Sequence, residues 1–431
     1  MSDPTARTPF HLLAKPTGAV CNLDCTYCFF LSKDSLYPGD RMRMSETTLS
    51  EYVRQLLDAQ PDGPVQIAWQ GGEPTLMGLG FFQRMVTLAT SLARPGQVVE
   101  HTIQTNATLI DDEWAAFFAE HGFLVGVSVD GPATVHDRFR VRSDGRGTHS
   151  DVVRGWNTLA RHGVERNALC SLSSANADRG LEVYRYLRDD LGAVHIQFIP
   201  IVERATGETL PTAEAGWGTG SGRRRILYRQ EGDLHTSRSI TGWQYGGFLC
   251  EVFDEWLRHD VGRVYVQMFD TTLGAHLGLY SLCVHSPTCG TALALEHNGD
   301  VYSCDHFVEP DHLLGNLHHT PLRQLVDSPV QVTFGRNKAS SLPAQCRRCE
   351  VLFACHGGCP KDRFATSVDG EPGLNHLCDG YTAFFTHTRP AFARMAELLV
   401  SGRYADEIGA EVAAGRFPRF GVRPDGDRPA T

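Results

Sequence analysis

Three cysteines near the N-terminus form the most specific chemical pattern in the sequence. Cys21, Cys25 and Cys28 are spaced CxxxCxxC within CNLDCTYCFF, just after the first predicted strand. Three thiolates at this spacing can bind three irons of a cubane and leave the fourth iron open to a substrate. A zinc site with a distant fourth ligand, or buried thiols without a metal, is the alternative. The spacing and the residues that follow it favour the iron-sulfur cluster.

Eight further cysteines follow from residue 283 onward. If two cubanes are fully ligated, all eight are used, and one cysteine of the second run must serve the first cluster. In two-cluster ferredoxins the cysteine before a proline crosses to the other cluster, and here Cys359 precedes Pro360. The predicted ligand sets are Cys283, Cys289, Cys304 and Cys359 for one cluster, and Cys346, Cys349, Cys355 and Cys378 for the other. A pair of zinc ribbons is the alternative.

Composition and charge narrow the class of protein. The chain has 431 residues, 42% of them hydrophobic and 21% charged, which is enough for two or three domains with buried cores. A formal net charge of -10 argues against a nucleic acid or an anionic membrane as the main partner. No stretch has the pattern of a signal peptide or a membrane span, so we expect a cytoplasmic protein. Thirteen cysteines in that reducing compartment favour metal or redox chemistry over disulfides.

Alternating strands and helices must position the first cysteine site. Between residues 12 and 201, β-rich runs alternate with amphipathic helical stretches, and the clearest strands are 65–69, 102–107, 124–130, 167–173 and 195–201. This rhythm predicts βα repetition and a parallel sheet. Six strands fit either a doubly wound sheet or an incomplete TIM-like barrel, and the pattern alone does not choose between them.

Changes in composition predict four segments. Residues 1–240 form the βα unit, within which the Gly-rich stretch 203–236 reads as an extended loop or insertion. Residues 241–282 form a helical bridge, and residues 283–400 form a cysteine-rich domain that bound metal would stabilise. Residues 401–431 are polar and Pro-rich, which predicts a poorly ordered tail.

Taken together, the motifs resemble a known family. CxxxCxxC followed by an aromatic residue resembles the radical S-adenosylmethionine enzymes, and the cysteine-rich half resembles their SPASM domain. KPTGAVCNLDCTYCFF, WQGGEPTLMG, EHNGDVYSCDHFVEP and CHGGCPKDRF resemble the anaerobic sulfatase-maturating enzymes, which oxidise a Cys or Ser of a sulfatase to formylglycine. The resemblance covers the chain from about residue 10 to residue 395.

The resemblance implies a fold, cofactors and partners. The fold is a partial (β/α)6 TIM-like barrel, a bridging region and a small SPASM domain with two auxiliary [4Fe-4S] clusters. The cofactors are three [4Fe-4S] clusters in total and S-adenosyl-L-methionine. The partners are a sulfatase polypeptide as substrate and an electron donor such as flavodoxin or ferredoxin. Some members of the family carry Tyr where this chain has Phe30, so a phenol function at that position is in doubt.

The resemblance also implies cofactor contacts. Glycines let the backbone approach a ligand closely, and the resemblance assigns Gly71, Gly72 and Glu73 to the amino end of the cofactor. Ser128 and Arg140 are predicted to bind the cofactor carboxylate. We also expect a cofactor contact from Tyr27, which lies within the cysteine motif. Further contacts with cofactor or substrate are expected from Gln70, Gln104 and Asn106.

Asp305 is the predicted catalytic base. After a hydrogen atom leaves the Cβ of the substrate residue, an aldehyde-level product still requires the loss of one proton and one electron. Asp305 follows the predicted ligand Cys304, which would hold a carboxylate beside an electron acceptor. The resemblance names this Asp as the base. A carboxylate that only caps a helix is the alternative.

Two other functions are compatible with parts of the sequence. A SPASM enzyme could crosslink or otherwise modify a ribosomal peptide. Many such enzymes carry an N-terminal peptide-recognition domain, and only 20 residues precede Cys21, which favours the maturase. A metal-binding interaction protein without catalysis is the third possibility, and zinc in place of iron would identify it.

Overall fold

The computed structural model describes residues 9–217 and 226–421. Its strands are β1 (His11–Lys15), β2 (Gly63–Trp69), β3 (Gln97–Thr105), β4 (Phe123–Ser128), β5 (Glu165–Leu172), β6 (His195–Pro200), β7 (Arg204–Ala205), β8 (Leu234–His235), β9 (Tyr265–Val266), β10 (Ala292–Glu296), β11 (Asp300–Tyr302), β12 (Leu313–Asn316), β13 (Ala365–Thr366) and β14 (Pro372–Leu374). Its helices are α1 (Glu46–Ala59), α2 (Leu79–Leu92), α3 (Asp112–Glu120), α4 (Ala133–His136), α5 (His149–Arg161), α6 (Gly180–Arg185), α7 (Leu210–Ala215), α8 (Gly242–His259), α9 (Gln267–His276), α10 (Leu322–Val326), α11 (Pro329–Ser340), α12 (Ala344–Arg347), α13 (Leu352–Cys355), α14 (Cys378–Val400) and α15 (Gly409–Ala413). Within these ranges no helix is both long enough and apolar enough to cross a bilayer.

The order of the strands decides between the two folds that the βα pattern allowed. Strands β1 to β6 are hydrogen-bonded in chain order, and each pair is parallel. A doubly wound sheet reverses its order at a switch point, whereas strands that follow one another in sequence are those of a TIM-like barrel. The sheet is open, because β1 pairs with β10 rather than with β6. The predicted partial (β/α)6 barrel is confirmed.

The cysteine-rich region is joined to the barrel through the sheet. Strand β10 pairs in parallel with β1 along its whole length, so that Lys15 at the end of β1 lies beside Glu296. Strands β11 and β12 then extend the sheet in antiparallel order. Asp305 begins a short 3-10 helix soon after β11. The predicted base is therefore positioned by the same sheet that positions the first cysteine loop.

The bridging helix α8 packs closely against the long helix α14. A Cβ atom on Gly380 would lie 2.0 Å from the carbonyl oxygen of Gly242, and one on Gly246 would lie 2.6 Å from the Cα of Gly380. These glycines let the two backbones touch, which larger residues would prevent. The contact fixes the start of α14, where Cys378 lies, relative to the barrel.

Residues 203–236, predicted as an extended loop, contain regular structure on both sides of residues 218–225, which lie outside the described residues. Strands β7 and β8 pair in antiparallel order, and α7 lies between them. The carboxylate of Glu203 is buried and accepts hydrogen bonds from Arg238, Trp217 and Thr236. Because Glu203 and Arg238 are far apart in sequence, composition alone did not reveal this buried ion pair.

The prediction of a poorly ordered tail is wrong for residues 402–421. A short 3-10 helix (Ala405–Ile408) and α15 follow α14, and the side chains of Ile408 and Phe417 are buried. Arg258 of α8 donates to the carbonyl of Phe417 at 3.1 Å. A few well-placed apolar residues anchor this segment in spite of its polar composition. Residues 422–431 of the predicted tail lie outside the described residues.

Candidate active site and iron-sulfur sites

The first cysteine loop leaves the carboxyl end of β1 and leads into the 3-10 helix Phe29–Leu36. The backbone N–H of Leu23 donates to the Sγ of Cys21 at 3.4 Å, and the N–H of Cys28 donates to the carbonyl of Cys25 at 2.9 Å. Burial raises the pKa of Cys25 to about 12, and the neighbouring thiol of Cys28 acts in the same direction. Buried thiols of this kind become thiolates when a metal ion supplies positive charge, so the donor set fits an iron cluster.

The Gly71–Gly72 turn packs directly against this loop. The N–H of Gly72 donates to the carbonyl of Gly18 at 2.8 Å, and that of Glu73 donates to Val20 at 3.0 Å. A Cβ atom on Gly72 would lie 2.0 Å from the carbonyl oxygen of Val20, so no larger residue fits there. The structure thus brings the predicted cofactor turn and the cysteine loop together through their backbones.

The side chain of Glu73 is held entirely by the protein. Its carboxylate is buried and accepts hydrogen bonds from the backbone N–H and hydroxyl of Thr75, from the hydroxyl of Thr105 and from the N–H of Asn106, all between 2.7 and 3.0 Å. The N–H of Glu73 is also used, and its carbonyl accepts from the N–H of Leu76 at 3.1 Å, which leaves one lone pair of that carbonyl for a cofactor. The carboxylate instead ties the turn to the end of β3.

Tyr27 and Arg140 meet at Asp130. The hydroxyl of Tyr27 donates to Asp130 at 2.5 Å, and the Nε of Arg140 donates to the same carboxylate oxygen at 2.9 Å. Arg140 also donates to the hydroxyl of Ser171 at 3.1 Å. Two predicted cofactor contacts are thus fixed by one buried carboxylate that also sits beside the cysteine loop. Ser128, the last residue of β4, is half-buried.

The three predicted polar contacts on β2 and β3 differ in their surroundings. The amide of Asn106 donates to the Sγ of Cys21 at 3.8 Å and to the side chain of Asn22 at 2.8 Å, so it belongs to the cysteine loop. The Oε1 atom of Gln70 is buried without a hydrogen-bond partner in the described part of the chain, which leaves it available to a ligand. Gln104 is half-buried near the end of β3.

The second group of cysteines separates into two sets. Cys346, Cys349, Cys355 and Cys378 line one cavity of about 340 Å³, and Cys359 is not among the residues that line it. Burial raises the pKa of Cys355 to about 12, and the thiols of Cys378, Cys346 and Cys349 add to the effect. Burial likewise raises the pKa of Cys304, and the thiols of Cys359 and Cys283 add to the effect. The thiol of Cys283 also acts on the pKa of Cys289, which burial raises.

A buried lysine, Lys338, and a half-buried arginine, Arg363, beside these cysteines were not predicted. The ammonium of Lys338 donates to the carbonyls of Cys283, Val284 and Ser286. Arg363 donates to the carbonyls of His356 and Gly357, each at 2.9 Å, and of Lys338 at 2.6 Å. Arg363 therefore fixes the loop that leads from Cys355 of one set to Cys359 of the other. The only sign in the sequence that Lys338 and Arg363 matter is that they occur near cysteines.

Asp305 lies next to a lysine that was also not predicted. The ammonium of Lys15 forms an ion pair with the Asp305 carboxylate and lies 4.1 Å from the ring centroid of Phe30. Although burial opposes ionisation, Lys15 and His306 hold the pKa of Asp305 below its usual range. The residue is thus placed as a carboxylate, directly after Cys304 and at the end of the barrel that carries the cysteine loop.

The chain matches two known families. Residues 16–174 match the Radical SAM superfamily, and residues 283–350 match SPASM, an iron-sulfur cluster-binding domain. The fold and the two cysteine-rich sites thus define a radical S-adenosylmethionine enzyme with a SPASM domain. The chain is 40% identical over 395 residues to the serine-type anaerobic sulfatase-maturating enzyme of Bacteroides thetaiotaomicron, covering 91% of this chain and 92% of that one. It belongs to the anaerobic sulfatase-maturating enzymes.

Further relatives include both named types of the family. The cysteine-type anaerobic sulfatase-maturating enzyme of Clostridium perfringens (strain 13 / Type A) is 31% identical over 392 residues, covering 90% of this chain and 98% of that one. A solved structure of native anSMEcpe with bound AdoMet and Kp18Cys peptide is 30% identical, with a TM-score of 0.76 over 90% of this chain and 99% of that one. The fold of this chain is therefore one that binds S-adenosylmethionine and a peptide in a relative.

Proposed function

We propose that this chain oxidises a cysteine or serine side chain of a sulfatase to Cα-formylglycine. The observation that carries the proposal is the position of Asp305. Its carboxylate follows the cluster cysteine Cys304 and contacts Lys15, the last residue of β1, from which the first cysteine loop departs. In a parallel barrel the carboxyl ends of the strands form the active face. This position supports Asp305 as a base between the radical cofactor and the electron acceptor.

Three [4Fe-4S] clusters and S-adenosyl-L-methionine are the proposed cofactors. Cys21, Cys25 and Cys28 hold the first cluster. The auxiliary clusters are held by the two predicted sets, Cys283, Cys289, Cys304 and Cys359, and Cys346, Cys349, Cys355 and Cys378. The common cavity of the second set and the mutual effects of the thiols within each set support this division. When bound, these groups supply a radical that takes a hydrogen atom from the substrate Cβ, and an acceptor for one electron.

The residues of the chain bind the cofactor and move the proton. The backbones of Gly71, Gly72 and Glu73 contact its amino end, and Ser128 and Arg140 contact its carboxylate beside Tyr27. Gln70, Gln104 and Asn106 contact the cofactor or the substrate. Asp305 accepts the proton of the substrate thiol or hydroxyl once the Cβ hydrogen has gone, and the loss of one electron completes the double bond. A serine yields the aldehyde directly, whereas a cysteine yields a thioaldehyde, which water converts to the aldehyde with release of hydrogen sulfide.

The proposed partners are a sulfatase loop that carries the target residue and a flavodoxin or ferredoxin that donates electrons. The peptide in the solved relative and the names of the related enzymes support the first partner. The cytoplasm is the proposed location, because a reducing compartment keeps cluster thiolates free of disulfides.

Anaerobic incubation of the reconstituted enzyme tests the function. The enzyme is mixed with S-adenosylmethionine, a reductant and matched sulfatase peptides that carry Cys, Ser or Ala at the target position. We expect 5'-deoxyadenosine together with an aldehyde on the Cys or Ser peptide, detected by mass and by reaction with a hydrazine, and no aldehyde on the Ala peptide. Cofactor cleavage with an intramolecular crosslink and no aldehyde would instead indicate a peptide-crosslinking enzyme.

A further inference from the structure

A buried lysine lies behind the predicted base. Lys15 ends β1, and its side chain is only 2% exposed, whereas that of Asp305 is 19% exposed. The carboxylate is therefore the more accessible of the two groups, and the ammonium lies on its inner side. The ring of Phe30 covers the ammonium at 4.1 Å from its centroid, an arrangement that also favours a cation.

Other charged groups near Asp305 do not replace this contact. Among the residues that the structure describes, Lys15 is the one that forms an ion pair with Asp305. Lys33 acts on Asp305 only through its charge, since its ammonium donates to the carbonyl of Tyr228 at 2.6 Å. Glu296, beside Lys15 in the sheet, contacts the imidazole of His297 at 3.5 Å. Phe30 has no polar atom, so it cannot orient a carboxylate.

The aliphatic part of the Lys15 side chain is also held in place. A Cβ atom on Gly71 would lie 3.0 Å from the Cβ of Lys15, so the lysine packs against the turn assigned to the cofactor. Burying an ammonium is costly unless it is paired, and here the pair is with the base. One side chain thus connects the cofactor turn to the carboxylate.

We propose that Lys15 is a positioning residue that acts through Asp305. It holds the carboxylate in one place and orientation relative to the cofactor turn, so that the proton acceptor is within reach when the substrate radical forms. Proton transfer needs a heavy-atom distance of about 2.6 to 3.2 Å, and a carboxylate free to rotate would leave that range. The inference rests on the proposed function, in which Asp305 is the base.

The test measures aldehyde formed per 5'-deoxyadenosine, with iron content alongside, in Lys15→Met, Lys15→Arg, Asp305→Asn and the double variant Lys15→Met/Asp305→Asn. We expect Lys15→Met to lower the ratio by about 10- to 100-fold, since a misplacement of about 1 Å costs on the order of 100-fold. Lys15→Arg, which keeps the charge, should recover at least part of it. In the Asp305→Asn background, Lys15→Met should cause no further loss, because residues that act as one unit are not additive.

Lys33→Met is the matched control, because Lys33 is also buried next to an aromatic ring but donates to a carbonyl. It should leave the ratio near that of the parent. A parental ratio in Lys15→Met, or an additional loss in the double variant, overturns the inference. If Lys15→Met loses iron, the Lys15→Arg variant is used instead. An aldehyde ratio in Lys15→Arg above that of Asp305→Asn supports the inference. A parallel fall of aldehyde and 5'-deoxyadenosine in Lys15→Arg overturns it. A parent enzyme that cleaves the cofactor without forming aldehyde would refute the proposed function instead.

Discussion

The two cysteine-rich regions of this protein are built in different ways. The first places Cys21, Cys25 and Cys28 on one short loop, in which hydrogen bonds join Leu23 to Cys21 and Cys28 to Cys25. The second collects eight cysteines from nearly one hundred residues, between Cys283 and Cys378. Local spacing is sufficient to group the cysteines of the first region, whereas tertiary contacts must group those of the second.

The electrostatic surroundings differ accordingly. Near the first loop, the positive charge of Arg140 is already paired with Asp130. Near the second group, Lys338 and Arg363 donate to backbone carbonyls, and among the described residues neither forms an ion pair with a carboxylate, although Lys361 pairs with Asp362. A region that collects distant thiolates thus contains its own cations, which both fix the loops and balance the negative charge.

The largest effect is expected from the triple variant Cys21→Ala, Cys25→Ala, Cys28→Ala. Three cubanes hold about twelve irons, so the variant should retain about eight. It should form no 5'-deoxyadenosine, because the open iron that binds the cofactor is lost. Iron analysis checks the iron count, and an anaerobic cleavage assay checks the loss of 5'-deoxyadenosine. If the triple variant still cleaved S-adenosylmethionine, the radical assignment would be wrong.

Asp305→Asn should separate cofactor cleavage from product formation. The proposed proton transfer follows hydrogen abstraction, so iron content and 5'-deoxyadenosine should remain near those of the parent. Aldehyde formation should fall by about 10² to 10⁴-fold, as is typical for the loss of a general base. Both products are measured in the same anaerobic reaction. A parallel fall of the two, or parental product formation, would show that Asp305 is not the base.

The sequence predicted the parts of this molecule that depend on neighbours in the chain. The parallel strands follow from local periodicity, and the three cysteines of the first loop follow from their spacing. Lys15 was not predicted, because its importance comes from Asp305, which lies nearly three hundred residues further along the chain. Glu73 was recognised, but its buried carboxylate serves Thr75, Thr105 and Asn106. Such pairings are set by the fold, which a motif does not describe.

Cys359→Ala tests the crossover between the auxiliary sets. The variant should lose up to about four irons, those held with Cys283, Cys289 and Cys304, although Cys359 lies in the other run of the sequence. Cofactor cleavage should persist, because the first loop is unaffected. Cys250→Ala, at a buried cysteine outside both sets, should keep its iron. A structure in which Cys359 binds iron together with Cys346, Cys349 and Cys355 would contradict the assignment.

The smallest effect is expected from Arg363→Met, which tests whether a half-buried cation holds the second region together. Arg363 donates to the carbonyls of His356, Gly357 and Lys338. Gly357 also accepts from the amide of Asn375, so the loss of Arg363 removes the donor from the other two carbonyls. Each such acceptor costs about 1 to 3 kcal/mol. The free energy of unfolding should therefore fall by at least that amount.

The Arg363→Met variant should also lose iron from the auxiliary clusters while 5'-deoxyadenosine formation persists. Arg348→Met is the matched control, since Arg348 is exposed and pairs with Asp369 at the surface, where an ion pair contributes about 0 to 1 kcal/mol. Denaturant titration and iron analysis of both variants give the comparison. Equal behaviour of the two variants would mean that the second region is held by its cysteines alone. A loss of cofactor cleavage in Arg363→Met, with iron retained, would mean that the two regions are not independent, and the contrast drawn between them would fail.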